Sequence, residues 1–495
     1  MQSECAAPRL LHVVCCLRYC RLAIDLTRQA LNPIIRDPNS KPIMKPVDPK
    51  AVTEIGVRAD ADWLQAHWMP YTGNREFKAN PRLMVEADGA YYTDADGRRI
   101  FDGLSGLWCT GLGHRRPELI EAVSRQMSTL DFMPPFQFGH PQSFALANRM
   151  QSFLPAGLEH VFFTGSGSEA ADTSLKMARA YWRAKGKGSK TRFIGREKGY
   201  HGVNFGGISV GGIVSNRKLF GQGVETDHLP HTQLPQNAFS RGMPQQGAEL
   251  ADDLLRLINL HDASNIAAVI VEPFSGSAGV VVPPVGYLQH LREICDQHDI
   301  LLIFDEVITG FGRSGAWTGA EAFGVTPDIL NCAKQITNGV QPLGAVVVKP
   351  EIYDTFMHTD APHYLLEFPH GYTYSAHPVA CAAALATLDL LEREQAVERV
   401  NSLAPYLEQK VHALRGCKHV SDIRNFGLAA GFTLAAAPGE PAKRPYEVGM
   451  TMWQQGFYVR YANDTVQLAP PFISTEAEID RLVDALGEAF NALDP

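Results

Sequence analysis

Between Gly113 and Val348 the chain alternates two kinds of apolar pattern. Short apolar runs at residues 161–163, 266–271, 300–304, 329–332 and 345–348, broken only by Asn331, read as strands, and the wholly apolar 300–304 as one buried on both faces. Between them apolar residues recur at helical spacing. Leu288, Leu291 and Cys295 fall at i, i+3 and i+7 of a helix predicted over 286–298, and another helix is predicted over 169–185. Strands alternating with helices predict an α/β layer around a mostly parallel central sheet. The flanks differ: residues 83–101 alternate apolar and polar positions around Asp88-Gly89 and Asp96-Gly97, which predicts a β-meander. Residues 377–414 are predicted helical, and mixed strands and helices follow. The expected organisation is an atypical extension over 1–45, the N-terminal segment of a small domain over 46–112, a large domain over 113–375 and a C-terminal small domain over 376–495.

Composition narrows the function classes. A chain of 495 residues exceeds one compact core, and 45% apolar with 20% charged residues is ordinary for a folded protein. The formal charge of −8, with no basic stripe, speaks against a nucleic-acid partner. The apolar run over 10–17 is less than half of the roughly 20 residues a bilayer helix needs, so no membrane partner is expected. Nine cysteines are an odd number, and none after Cys20 has metal-like or redox-like spacing, which fits a reducing cytoplasm and predicts no metal. Four of them, Cys5, Cys15, Cys16 and Cys20, crowd beside Arg9, Arg18 and Arg21. A targeting peptide, a poor metal constellation and a start placed too early, with Met44 as the true one, are the three readings of that stretch.

Three segments carry chemistry. Thr164-Gly-Ser-Gly-Ser-Glu169 is a small-residue loop between a strand and a helix, suited either to cradling a phosphate or to plain connection. Asp305 and Glu306 stand at the carboxyl end of an apolar strand, where open α/β sheets bind ligands. A buried carboxylate there needs a cation, although a helix cap explains either residue singly. Lys334 directly follows another apolar strand, where burial can lower its pKa and make it an amine nucleophile, or where it can snorkel to the surface. A phosphate cup, a carboxylate for a pyridinium nitrogen and a lysine for a Schiff base are together what pyridoxal phosphate demands. Neither a G-x-G-x-x-G dinucleotide turn with its acidic partner nor a G-x-x-x-x-G-K-[ST] loop occurs.

From about Trp63 onward the chain resembles the class III (subgroup II) pyridoxal-phosphate aminotransferases of fold type I. The most specific block is Ile303-Phe-Asp-Glu-Val-Ile-Thr-Gly-Phe-Gly-Arg313-Ser-Gly, with Lys334 following Asp305 by 29 residues. The resemblance implies a mostly parallel central sheet with helices on both faces, plus a smaller α+β domain drawn from both termini. It further implies that Lys334 holds the cofactor as a Schiff base and that Asp305 binds the pyridine nitrogen. Val307 would pack on one ring face, and Tyr200 of Gly199-Tyr-His-Gly202 would stack on the other, with His201 beside it among the cofactor residues. Gly167 and Ser168 would take the phosphate, helped by Thr373 of Gly371-Tyr-Thr-Tyr-Ser375 from a second subunit. Glu272 of Val271-Glu-Pro273 would lie near the phenolic side.

Within the family the chain looks most like the β-alanine or ω-amino acid:pyruvate transaminases. Ser105-Gly-Leu-Trp108-Cys, Phe136-Gln-Phe-Gly-His-Pro141, His261-Asp-Ala-Ser-Asn265 and Gly456-Phe-Tyr-Val-Arg460 carry that closer match. It implies that Trp108 and Phe136 line the substrate pocket and that Arg460 receives a carboxylate, while Val340-Gln341 and Tyr461-Ala-Asn-Asp464 depart from the pattern. The expected reaction is ping-pong transfer from an amine donor to a keto acid, in a homodimer or homotetramer with sites at the subunit interface. A 4-aminobutyrate or ornithine aminotransferase, or a same-fold aminomutase or decarboxylase, would share the cofactor residues. A binding protein without catalysis would have lost Lys334 or Asp305.

Overall fold

The computed structural model describes residues 61–494; the extension over 1–45, with its cysteine cluster and Met44, lies outside the described residues. The chain divides into units of residues 1–81 and 82–495. In the first, helices Ala61–Gln65 and Asn74–Ala79 are described, the second opened by Asn74, whose side chain accepts the Met69 N–H at 2.9 Å.

The second unit is built on a seven-stranded sheet in the order 160–164, 344–348, 329–333, 301–305, 266–271, 192–196, 226–229. Six strands run the same way, and Gly344–Val348 alone is antiparallel to both its neighbours. The apolar runs are two-sided because both faces are covered. Val269, Val271, Leu302 and Phe304 enter one core with Leu288, Leu291 and Cys295 of helix Tyr287–Gln297. Their alternates Ala268, Ile270, Leu301 and Ile303 enter another with Leu175, Ala178 and Trp182 of helix Gly167–Ala184. Every one of these strand residues is at most 5% exposed.

The predicted meander is present as strands Met84–Asp88, Tyr91–Asp94 and Arg99–Asp102, and Phe457–Tyr458 joins its edge in parallel to the third. A third, antiparallel sheet holds Val420–Asn425, Ala430–Leu434, Thr465–Leu468 and Arg460–Ala462. The stretch predicted helical over 377–414 is two helices, Pro378–Arg393 and Ala396–His412, parted where Gln395 takes φ 50°. No helix among the described residues is long and apolar enough to cross a membrane.

Candidate active site

The carboxyl ends of neighbouring strands open into one cavity of about 160 Å³, the position where α/β sheets collect ligands. Strand His160–Thr164 feeds the loop into helix Gly167–Ala184, whose start is fixed by two reciprocal contacts. Ser166 caps it, accepting the Glu169 N–H at 3.2 Å, and the Glu169 carboxylate returns to accept the Gly165 N–H at 2.7 Å. With those donors spent, Ser166, Gly167 and Ser168 form one end of the cavity. A Cβ on Gly167 would lie 2.9 Å from Val307 Cγ2, so only glycine lets this loop sit against the valine. Gly202, at φ 92°, meets Ser168 just as closely: a Cβ there would be 2.4 Å from Ser168 Oγ.

Asp305 closes strand Leu301–Asp305 and is 4% exposed. Its Oδ1 accepts the Val307 N–H at 3.1 Å, and its Oδ2 lies 2.8 Å from His201 Nδ1. His201 Nε2 is buried and has no partner among the described residues. Glu272 follows strand Ile266–Val271; Oε1 accepts the Tyr200 N–H at 2.9 Å and Oε2 the Gly276 N–H at 3.2 Å. Burial raises its carboxyl above the usual range, with Asp305 adding to that, while His201, the Tyr200 N–H and Arg196 oppose. Lys334 follows strand Ile329–Ala333 with φ 54°, a left-handed conformation uncommon outside glycine that turns it out of the strand line. Burial lowers its ammonium below the ordinary lysine value and the Arg460 charge adds to this; Asp305, Cys109 and Glu272 act the other way.

Gly167, Ser168, Tyr200, His201, Glu272, Asp305, Val307 and Lys334 thus all line the one cavity. Four expected residues do not. Thr373 is exposed; Phe136 is 56% exposed and packs on Gly371, where a Cβ would touch its ring at 2.8 Å. Trp108 is 3% exposed, held at φ 67° in the core that also contains Ile308. Arg460 is half-buried, with its Nε buried and unpartnered among the described residues. Sequence reasoning gave no role to Ile308, Ser166 and Gly202, which complete the lining, although each stands inside a quoted motif. It also passed over Arg196, a buried cation that donates to the Glu272 carbonyl at 2.7 Å and to Ser275 Oγ at 3.0 Å beneath the cavity. A charged residue ending a strand was the only signal for it.

The residues fit pyridoxal phosphate. One end is a small-residue, hydroxyl-bearing loop at a helix start, the other presents a buried carboxylate at a strand end, and a lysine of lowered basicity reaches the same space. The glycine contacts at 167 and 202 hold two loops nearer than a side chain would allow.

A family model described as aminotransferase class-III matches residues 72–490. The β-alanine–pyruvate aminotransferase of Pseudomonas aeruginosa is 62% identical over 431 residues, 87% of this chain and 96% of that protein. An omega-amino acid–pyruvate aminotransferase of Pseudomonas putida is 59% identical over 432 residues, again 87% and 96% of the two chains. Among solved structures, an (S)-enantioselective omega-transaminase from Thermomicrobium roseum aligns with a TM-score of 0.80 at 34% identity, covering 87% of this chain and 97% of that one. An amine transaminase from an uncultivated Pseudomonas species, in its PLP-bound form, aligns at 0.80 and 36% identity, covering 86% and 98%.

Proposed function

The chain belongs to the class-III aminotransferase family, and we propose that it is a pyridoxal-phosphate-dependent ω-transaminase moving an amino group from an ω-amino acid such as β-alanine, or from an amine, to pyruvate. The observation that carries this reading is the meeting of Lys334 and Asp305 at two strand ends in one cavity, in a chain so similar to enzymes named for that reaction.

Pyridoxal phosphate, when bound, supplies the electron sink that lets a C–H bond beside nitrogen break heterolytically. Lys334 would carry the cofactor at rest. With its basicity lowered, its freed amine takes the proton from the donor's amine-bearing carbon and returns it one position away, as base and then acid. Asp305 supplies the negative charge that keeps a pyridine nitrogen protonated, and His201 at 2.8 Å fixes the orientation of its carboxylate. Val307 and Tyr200 wall the ring, the latter anchored through its N–H by Glu272. Gly167 and Ser168 hold the phosphate.

Arg460 receives the carboxylate of pyruvate or of β-alanine with its planar fork; the unpartnered Nε is a donor in need of that acceptor. Trp108, buried in the core that holds the lining residue Ile308, would give the donor side chain an apolar backing. Thr373 and Phe136 belong to the cavity of a second copy: both stand exposed, on and against the same Gly371–Ser375 stretch, and neither lines its own chain's cavity. A closed two-fold dimer would complete two sites at once. A reducing cytoplasm is the proposed setting, consistent with free cysteines at 109, 295, 332, 381 and 417.

Initial rates with β-alanine and pyruvate varied together, alongside a panel of 4-aminobutyrate, ornithine and simple amines, test the assignment. Parallel double-reciprocal lines with β-alanine among the best donors are expected. Intersecting lines, or a clear preference for ornithine with 2-oxoglutarate as acceptor, would contradict it.

A further inference from the structure

Glu306 follows Asp305 in the chain yet turns away from the cavity. It is 1% exposed, and its carboxylate is enclosed by donors. Oε2 accepts the Thr309 hydroxyl at 2.7 Å and the Gly319 N–H at 2.5 Å, and Oε1 accepts the Ala320 N–H at 2.6 Å. Gly319 and Ala320 carry the first N–H donors of helix Gly319–Phe323, and the Thr318 cap, which takes the Glu321 N–H at 3.0 Å, does not reach them, so Glu306 ties the start of that helix to the turn after Asp305. Burial does not make it a favourable place for a carboxylate: desolvation pushes the group up to about 7, with Asp305 adding to the rise, against the pull of Thr309 and the two N–H groups.

The contact lies where two turns of the cavity meet. A Cβ on Gly319 would stand 2.8 Å from Pro273 Cβ and 3.0 Å from Glu306 Oε2, so the Gly319 backbone is wedged between them. Pro273 follows Glu272, and Glu306 follows Asp305; both carboxylates of the cavity are therefore one residue from the wedge. We propose that Glu306 is a positioning residue for the cofactor cavity, its carboxylate clamping the turn after Asp305 to Thr309, Gly319 and Ala320 so that Asp305 and Val307 keep their places on the bound ring. The inference rests on the cavity being a pyridoxal phosphate site. It assigns the two adjacent carboxylates opposite directions, one toward ligand and one toward backbone.

The test is titration of the apoprotein with pyridoxal phosphate, followed by absorbance, together with the melting midpoint of each apoprotein. Glu306→Gln keeps the shape but offers one acceptor oxygen and an NH2 that opposes a backbone N–H; its cofactor dissociation constant is expected to rise about tenfold or more, with an altered visible band. Thr309→Val removes a single donor and is expected to weaken binding about threefold, whereas Thr309→Ser, which restores the hydroxyl, stays within about twofold of wild type. A Glu306→Gln protein with the wild-type dissociation constant and spectrum, whatever its melting midpoint, would overturn the proposal. If that variant does not fold, equal affinities for the Thr309→Val and Thr309→Ser proteins would overturn it instead. A wild-type protein that takes up no pyridoxal phosphate contradicts the functional reading itself, a result distinct from losses confined to these variants.

Discussion

Asp305 and Glu306 show how one functional group, a carboxylate, is used in two ways at consecutive positions. The Asp305 carboxylate accepts from Val307 and meets His201, and the cavity lies in front of it; the Glu306 carboxylate has every contact with its own chain's backbone and Thr309. Sequence alone left a ligand role and a cap role open for both, because the direction a side chain takes after a strand end depends on which donors tertiary packing delivers. For Asp305 the account predicts that Asp305→Asn folds but loses most activity. The amide gives up a charge-assisted contact of about 1.5 to 3 kcal/mol, at least about a tenfold effect, and cannot balance a pyridinium. Turnover of Asp305→Asn near the wild-type value, measured at saturating β-alanine and pyruvate, would refute the assigned role. Lys334 was a candidate for a different reason. The strand position left burial and snorkelling both open, the resemblance supplied the Schiff-base role, and the structure buries the side chain in the cavity, which lowers its basicity.

At the scale of elements, legibility followed burial. Ile266–Val271 and Leu301–Asp305 are central strands with both faces covered, so their apolar runs were readable to within a residue. Arg192–Arg196 and Thr226–Leu229 were not assigned from sequence: they stand at one side of the sheet and carry Arg192, Arg196, Asp227 and His228, of which Arg192 and Asp227 pair across the two strands at 2.8 Å. The break between Pro378–Arg393 and Ala396–His412 has no glycine or proline to mark it, only Gln395 at φ 50°. The loops around the cavity are where close approach matters most. Gly202→Ala puts a methyl group 2.4 Å from Ser168 Oγ and 2.6 Å from Ser168 Cα, on a backbone that disfavours any side chain. Overpacking of that kind costs about 1 to 3 kcal/mol. The expected result is a folded protein with a lower melting midpoint and weakened cofactor binding; unchanged cofactor affinity would show that the 199–202 turn is not part of the phosphate end.

At the scale of the whole molecule, Thr373 and Phe136 could not be placed from one chain's sequence because nothing in it separates a residue serving its own cavity from one serving a neighbour's. Their exposure in this chain and absence from its own cavity favour the second role. Hybrid dimers decide between them. A Lys334→Ala subunit has no working lysine but offers an intact Thr373, and a Thr373→Ala subunit is its complement. Co-expressed, the two are expected to form heterodimers with one restored site and to recover a quarter or so of wild-type activity, since about half of random dimers are hybrid, each with one site, under closed two-fold symmetry. Activity no greater than the sum of the two separate variants would place Thr373 in its own subunit's site.

The central claim is that Lys334 holds pyridoxal phosphate and performs the proton transfers of a transamination. Borohydride reduction of the purified holoprotein, followed by proteolysis and mass spectrometry, tests it most directly. The account predicts one peptide bearing a stable pyridoxyl group on Lys334, and no such label after β-alanine without pyruvate has first converted the cofactor to its amine form. A label on any other lysine, or labelling of Lys334 that β-alanine leaves untouched, would contradict it.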